Sequence, residues 1–209
     1  MKILKANKEN ILLAASLIKT GGLVVYPTDT VYGLGCDPFN TKATKKIFEI
    51  KERPGKPLPV LASDVQSVER IGYLSRKARM IAASLWPGPF TLIVPRKKIL
   101  PGIVTGDLDS VGVRVPKHNK AIQLIHSSNG LLIGTSANKT GRKPPTDAYQ
   151  AAKQLGKNVD VILDGGSTPL GVSSTIIDLT SKELKIVRKG SGNLELIKPF
   201  LSNHSSLDN

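Results

Sequence analysis

The strongest constraint on how this chain can fold is a series of short apolar runs, each bounded by turn-forming residues. Leu23–Val24–Val25–Tyr26 stops at Pro27, and Leu131–Leu132–Ile133 runs straight into a polar turn. Leu58 to Ala62, Phe90 to Pro95, Val111 to Val115 and Val159 to Leu163 have the same character. Runs of this length, rich in Val, Ile and Leu, predict strands buried inside a sheet. Ser173 to Leu179 and Leu184 to Arg188 predict a further pair of strands joined by a polar turn.

Helical spacing fills the gaps. Ile11, Leu12, Ala15 and Ile18 predict an amphipathic helix ending at Gly21–Gly22. Thr41 to Lys51 predicts a helix with Thr41 as N-cap and Pro54–Gly55 beyond its end. Ser75 to Trp86, capped by Ser75 and stopped by Pro87–Gly88, predicts another. Asn119 to Ser127, Thr146 to Leu155 and Asn193 to Leu201 complete the set. Some strands alternate with helices and others pair in hairpin order. The expectation is a single α/β domain, a twisted mixed sheet with flanking helices, over residues 1–202 with its core at 8–200. Residues 203–209 are expected to fray.

Composition narrows the chemistry. Thirty Lys+Arg against sixteen Asp+Glu give a net charge of +14, which favours polyanions as partners. The single cysteine, Cys36, rules out an internal disulfide and any multi-cysteine zinc site, and reads as a small buried thiol. His118, His126 and His204 have no metal-ligand spacing. The apolar stretch from Ile11 is too short to span a bilayer and is preceded by Asn7, Lys8, Glu9 and Asn10, so the expectation is a cytoplasmic protein with no membrane partner. A G-x-x-x-x-G-K-[ST] loop, a G-x-G-x-x-G turn and a G-x-S-x-G elbow are all missing.

What the chain has instead is a set of polar segments beside the apolar runs. Pro27 to Gly35, PTDTVYGLG, follows a strand with two threonines, an aspartate and two glycines. Lys51 to Leu61, KERPGKPLPVL, places Lys51 and Arg53 at a helix end. There they either complement the helix dipole or clamp phosphate, Arg as a planar fork and Lys as a point charge. Trp86 to Leu92, WPGPFTL, reads as a rigid turn into a strand. Arg114 stands in an alternating apolar strand, either solvated or pocketed for a carboxylate. Ser136, Asn138, Lys139, Arg142 and Lys143 fill the turn after Ile133. Ser173, Ser174 and Thr175 open one predicted strand, while Arg188 and Lys189 lie at the end of another. Many hydroxyls, several cations and few acid–base candidates suit phosphoryl or nucleotidyl chemistry, where positioning and charge stabilisation dominate.

Taken in order, PTDTVYGLG, KERPGKPLPVL, WPGPFTL, VGVRVPKH, TSANKTGRKPPT, GVSSTIID and VRKGSG resemble the motifs of the YrdC-like family, from about Gly22 to Gly190. The resemblance implies a YrdC-like fold with a deep positively charged cavity. It implies formation of threonylcarbamoyl-AMP and pyrophosphate from L-threonine, bicarbonate and ATP, with Mg2+ accompanying the ATP. The product would pass to a separate transferase that modifies tRNA. Carried over by motif, Lys51 and Arg53 would be catalytic and hold ATP, with Ser110, Ser136, Asn138 and Arg188 also meeting the nucleotide. Thr28, Arg114 and Ser174 would contact threonine. Some family members carry a His where this chain has Leu61, and longer relatives carry an extra domain, so closure is expected from loops such as Lys139 to Thr146. The alternative is an RNA-binding module using the same basic cavity without adenylation. An aromatic content of 4% gives it few stacking platforms.

Overall fold

The computed structural model describes residues 1–53 and 55–201. The expected stop at Pro54, His204 and the 203–209 tail lie outside the described residues. The elements run β1 (Lys2–Lys5), α1 (Lys8–Lys19), β2 (Val24–Tyr26), β3 (Gly33–Gly35), α2 (Thr41–Lys51), β4 (Val60–Ala62), α3 (Val65–Ile71), α4 (Arg76–Leu85) and β5 (Phe90–Pro95). They continue α5 (Gly102–Thr105), β6 (Ser110–Arg114), α6 (Asn119–Ser127), β7 (Leu131–Ile133), β8 (Thr135–Ser136), α7 (Ala148–Leu155), β9 (Val161–Asp164), β10 (Thr175–Asp178), β11 (Lys185–Arg188) and α8 (Lys198–Leu201).

The strands form two mixed sheets. One has the order β1-β9-β2-β3-β8 and the other β11-β10-β5-β6-β4-β7. The two meet where the chain passes from β7 into β8. Across that seam Ile133 N–H donates to the Cys36 carbonyl at 3.0 Å, and the Tyr26 hydroxyl donates to the Ile133 carbonyl at 3.0 Å. Gly134 N–H donates to the Pro59 carbonyl at 2.9 Å.

Alternation along β2 sorts the core. Val24 and Tyr26 face α1 and α6, packing with Ile11, Ile18, Leu124 and Ile125. Val25 faces the other way, into a larger cluster that joins both sheets through Leu34, Ile162, Val60, Leu92 and Val113. The predicted helices form with small shifts at their starts. α2 is capped by Asn40 rather than Thr41, because the Asn40 side chain is the one that accepts from Ala43 N–H, at 3.0 Å. α7 begins at Ala148, with Asp147 as its cap, not at Thr146. The C-terminal helix expected from Asn193 starts as a 3-10 turn, Leu194–Ile197, and becomes α-helical only at α8. Among the described residues no helix is long and apolar enough to cross a membrane.

Candidate functional site

A cavity of about 150 Å³ opens at the seam between the sheets. Thr30 and Val31, from the turn before β3, and Thr135 and Ser136 of β8 form the wall on the side of the first sheet. Leu61 of β4, Thr91 of β5, Arg114 of β6 and Arg188 of β11 form the opposite wall, with Ser173 and Ser174 just before β10. Arg53 enters from the residues after α2. The cavity is smaller than the roughly 300–1,000 Å³ common for small-molecule sites, so it suits an amino-acid-sized group, with anything longer lying over its rim. Larger hollows exist, of about 670 Å³ beside Tyr73 and Lys182 and about 380 Å³ between α1 and α6, but neither holds any of the motif residues proposed for the site.

Arg114 anchors one end. Its Nε donates to the Gly88 carbonyl at 2.9 Å, its Nη1 to Thr30 Oγ1 at 3.0 Å, and its Nη2 to Asp29 Oδ1. Three of the five guanidinium N–H groups are thereby fixed, and two remain. Burial lowers the Arg114 pKa and the Asp29 carboxylate opposes that shift, so the group stays charged but locally balanced. The WPGPF turn therefore does more than reverse the chain: the carbonyl of its Gly88 aims the arginine. Asp29 Oδ2 is buried and has no hydrogen-bond partner among the described residues.

Thr28 does not line the cavity. Its hydroxyl donates to the Val31 carbonyl at 2.7 Å and accepts from the Thr30 and Val31 amides, folding the turn that presents Thr30. The wall position expected of Thr28 is thus taken two residues later, by Thr30.

The other end is cationic. Arg188 lies near Arg53, and burial first, then the Arg53 charge, lowers its pKa. Arg188 Nε and Nη2 donate to the Ser174 carbonyl at 3.2 and 2.8 Å, and Nη2 reaches Ser174 Oγ at 3.3 Å. Behind this pair Lys51 is buried. Its ammonium donates to the Ser136 carbonyl at 2.6 Å and the Asn138 carbonyl at 2.9 Å, while its own carbonyl accepts from the Thr140 hydroxyl at 2.6 Å. Burial, then the Arg53 charge, brings its pKa down to about 8. Lys51 fastens the 134–140 turn and supports the cationic end from behind; it does not line the cavity. Asn138 also works inside that turn, its Nδ2 donating to the Lys139 and Arg142 carbonyls at 2.9 and 2.6 Å.

Ser110 begins β6, on the same face as Gly112 and Arg114. Four residues of strand place it about 13 Å from Arg114, beyond the cavity wall. Cys36 is fully buried and its thiol is pushed up to about 12, as expected of a packed rather than reactive thiol. His118 caps α6, its Nδ1 accepting from Ala121 N–H at 3.2 Å. The sequence motifs count Thr30 among their threonines without giving it a role, and single out neither Thr91 nor Thr135. Thr91 left a trace: it is the one hydroxyl in the apolar run Phe90–Pro95, and it points away from Leu92 and Val94.

Residues 16–190 match the Sua5–YciO–YrdC family model, described as "Telomere recombination". The chain is 40% identical over 193 residues to a threonylcarbamoyl-AMP synthase of Pyrococcus abyssi, covering 91% of this chain and 57% of that protein. It is 38% identical over 201 residues to a threonylcarbamoyl-AMP synthase of Bacillus subtilis, covering 95% of this chain and 58% of that one. Its fold superimposes on the P. abyssi Sua5 crystal structure complexed with L-threonine, with a TM-score of 0.93 at 37% identity, over 97% of this chain and 61% of that one. The chain thus spans under two thirds of the length of these relatives.

Proposed function

The chain belongs to the Sua5–YciO–YrdC family, and from that premise we propose that its cavity makes threonylcarbamoyl-AMP and pyrophosphate from L-threonine, bicarbonate and ATP. The observation that carries the reading is the polarity of the cavity. One end is a fixed arginine balanced by Asp29 and surrounded by hydroxyls, which suits a zwitterionic amino acid. The other gathers Arg53 and Arg188 with Lys51 behind them, which suits a polyphosphate.

On this reading the two uncommitted N–H groups of Arg114 hold the amino-acid carboxylate. The amine reacts with bicarbonate to give a carbamate and water. A carbamate oxygen then bonds to the α-phosphorus while the bond to the bridging oxygen of pyrophosphate breaks. Arg53 and Arg188 stabilise the charge that grows on the phosphate oxygens, in positions already fixed before reaction. On this reading no side chain serves as covalent nucleophile: Cys36 is buried, and the Ser174 hydroxyl lies beside Thr91 and Arg188, with no base next to it among the described residues. Among the described residues the cavity wall contains no carboxylate, and Asp29 is engaged by Arg114. Mg2+ would enter with ATP as its counter-ion and would help neutralise the phosphate charge. The product leaves for a separate transferase acting on tRNA.

The test is pyrophosphate release from ATP with L-threonine and bicarbonate each left out in turn. Release is expected only when both are present. Release that ignores either omission would refute the assignment.

A further inference from the structure

The hollow of about 670 Å³ beside Tyr73 and Lys182 takes no part in the proposed reaction. It hangs on the same strands as the cavity, at their other ends. β5 carries Thr91 at the cavity and Pro95 at the hollow, four residues or about 13 Å of strand apart. β10 and β11 repeat the arrangement. Ile176 and Arg188 line the cavity, while Leu179, just after β10, and Leu184, just before β11, line the hollow.

The floor of the hollow is aliphatic, made by Leu74, Ala78, Leu179 and Leu184. Its rim is cationic. Lys77, on the first turn of α4, and Lys182, in the turn between β10 and β11, both line it and are both exposed. Lys77 Nζ gives one donor to the Lys182 carbonyl at 3.2 Å and keeps two. Tyr73 also lines the hollow, and Lys97 Nζ sits 5.0 Å from the centre of its ring. Among the described residues none of these three lysines is in an ion pair, and no carboxylate lines the hollow. Asp178, at the end of β10, is engaged by the Thr180 amide and hydroxyl at 2.8 and 2.7 Å, and Glu183 lies on the turn outside the wall. A nucleobase needs an aromatic face to stack on, and the one aromatic ring among the described wall residues, Tyr73, already has an ammonium over it. An aliphatic side chain needs only the dry floor. The wall is therefore complemented by an apolar side chain flanked by carboxylates.

We propose that this hollow docks a protein partner through an acidic segment, with one aliphatic side chain seated between Leu74, Leu179 and Leu184 and the flanking carboxylates on Lys77 and Lys182. The net charge of +14 draws any polyanion, but the aliphatic floor distinguishes such a segment from a nucleic acid. The site does not depend on the reaction assigned to the cavity. A partner held there leaves the cavity, at the opposite end of β5, free to work.

The experiment is fluorescence anisotropy of the full chain with a short fluorescein-labelled peptide of Asp and Glu around one central Leu. Saturable binding in the micromolar range is expected. Replacing that Leu by Ser should weaken binding by about tenfold or more, as the loss of one buried aliphatic side chain implies. Lys77→Glu/Lys182→Glu should also weaken it by about tenfold or more. The same charge reversal on the exposed face of α2, Lys42→Glu/Lys46→Glu, separates the site from net charge and should leave affinity within about threefold of wild type. So should Arg188→Ala, which removes a cation from the cavity. The four lysines are exposed, so the reversals are expected to fold. An absence of saturable binding, equal affinity for the Ser peptide, or an equal loss in the α2 or Arg188 variants would each overturn the proposal. An oligouridylate of matched charge that binds more tightly than the Leu peptide, and is weakened by Lys77→Glu/Lys182→Glu, would assign the surface to nucleic acid and overturn it as well.

Discussion

Lys51 holds its ammonium against two backbone carbonyls, buried next to Arg53, and the ordinary lysine pKa of 10.5 falls to about 8. The direction matters. A lowered lysine pKa means the folded protein gives up this proton as pH rises through about 8, while the unfolded chain keeps it to higher pH. The positive end of the cavity should therefore weaken across that interval. Affinity for a non-hydrolysable ATP analogue is expected to fall, by up to roughly tenfold, as pH rises from below to above this pKa, because one positive charge close behind the cavity is lost. Lys51→Met should bind weakly and show no such step. Stability shifts the opposite way: the charged, buried ammonium is a penalty below about pH 8 that is relieved as pH rises toward 10.5. Asp29 makes a second case. Asp29→Asn leaves the Arg114 guanidinium buried without its counter-charge, since the two side chains are only 6% and 5% exposed. Urea unfolding should record a loss of about 3–5 kcal/mol, and the double variant Asp29→Leu/Arg114→Met should recover most of it.

At the scale of elements, the turn Ser191–Gly192 and the residue before it show how backbone fixes the site. A side-chain carbon on Gly190 would sit 2.2 Å from the Ser173 carbonyl oxygen and 2.4 Å from Ser174 backbone atoms. Gly190→Ala must push β11 away from Ser174, and Arg188, two residues upstream, moves with it. Pyrophosphate release should drop on the order of 100-fold, as misplacement of a fixed charge implies, in a protein that still folds. The same scale shows what a reader of sequence can and cannot see. Helices α1, α2, α4 and α6 were legible because their apolar spacing and stops are local. So were β2, β5 and β7, as apolar runs. β1, Lys2–Lys5, was not: it is lysine-flanked and half-buried, and it becomes a strand by pairing with β9. β3, Gly33–Gly35, carries no side-chain alternation to read, yet it must be glycine-rich, since a carbon on Gly35 would meet the Ile133 carbonyl at 2.3 Å. α3, Val65–Ile71, could have been found from its Asp64 cap and the spacing of Val65, Val68 and Ile71. For the site, the basic and hydroxyl motifs located Arg53, Arg114, Ser136, Ser174 and Arg188 on the cavity wall. They could not say that Thr28 and Lys51 hold their neighbours in place from behind it, because hydrogen bonds to carbonyls leave no residue pattern.

For the whole molecule, the point of interest is that two sheets share one core. Val25, Leu34 and Ile162 from the first pack in the same cluster as Val60, Leu92 and Val113 from the second. Neither sheet can keep that surface dry alone, so they should unfold together. The single tryptophan, Trp86, donates its Nε1–H to the Phe90 carbonyl at 2.7 Å in the second sheet, and its fluorescence reports there. Far-UV circular dichroism reports on both sheets, and the two signals are expected to give the same urea midpoint. The cavity opens on the line along which these sheets would come apart, with β8 on one bank and β4, β5 and β6 on the other. A substrate lying there is a rivet through two plates: part of what binds it is also part of what holds the protein shut. Amide hydrogens that cross or flank the joint, those of Ile133, Gly134 and Ala137, should exchange with solvent more slowly once threonine and nucleotide are bound, and slow by more than those of α4. On the proposed function, running out of substrate would be a mechanical event as well as a chemical one.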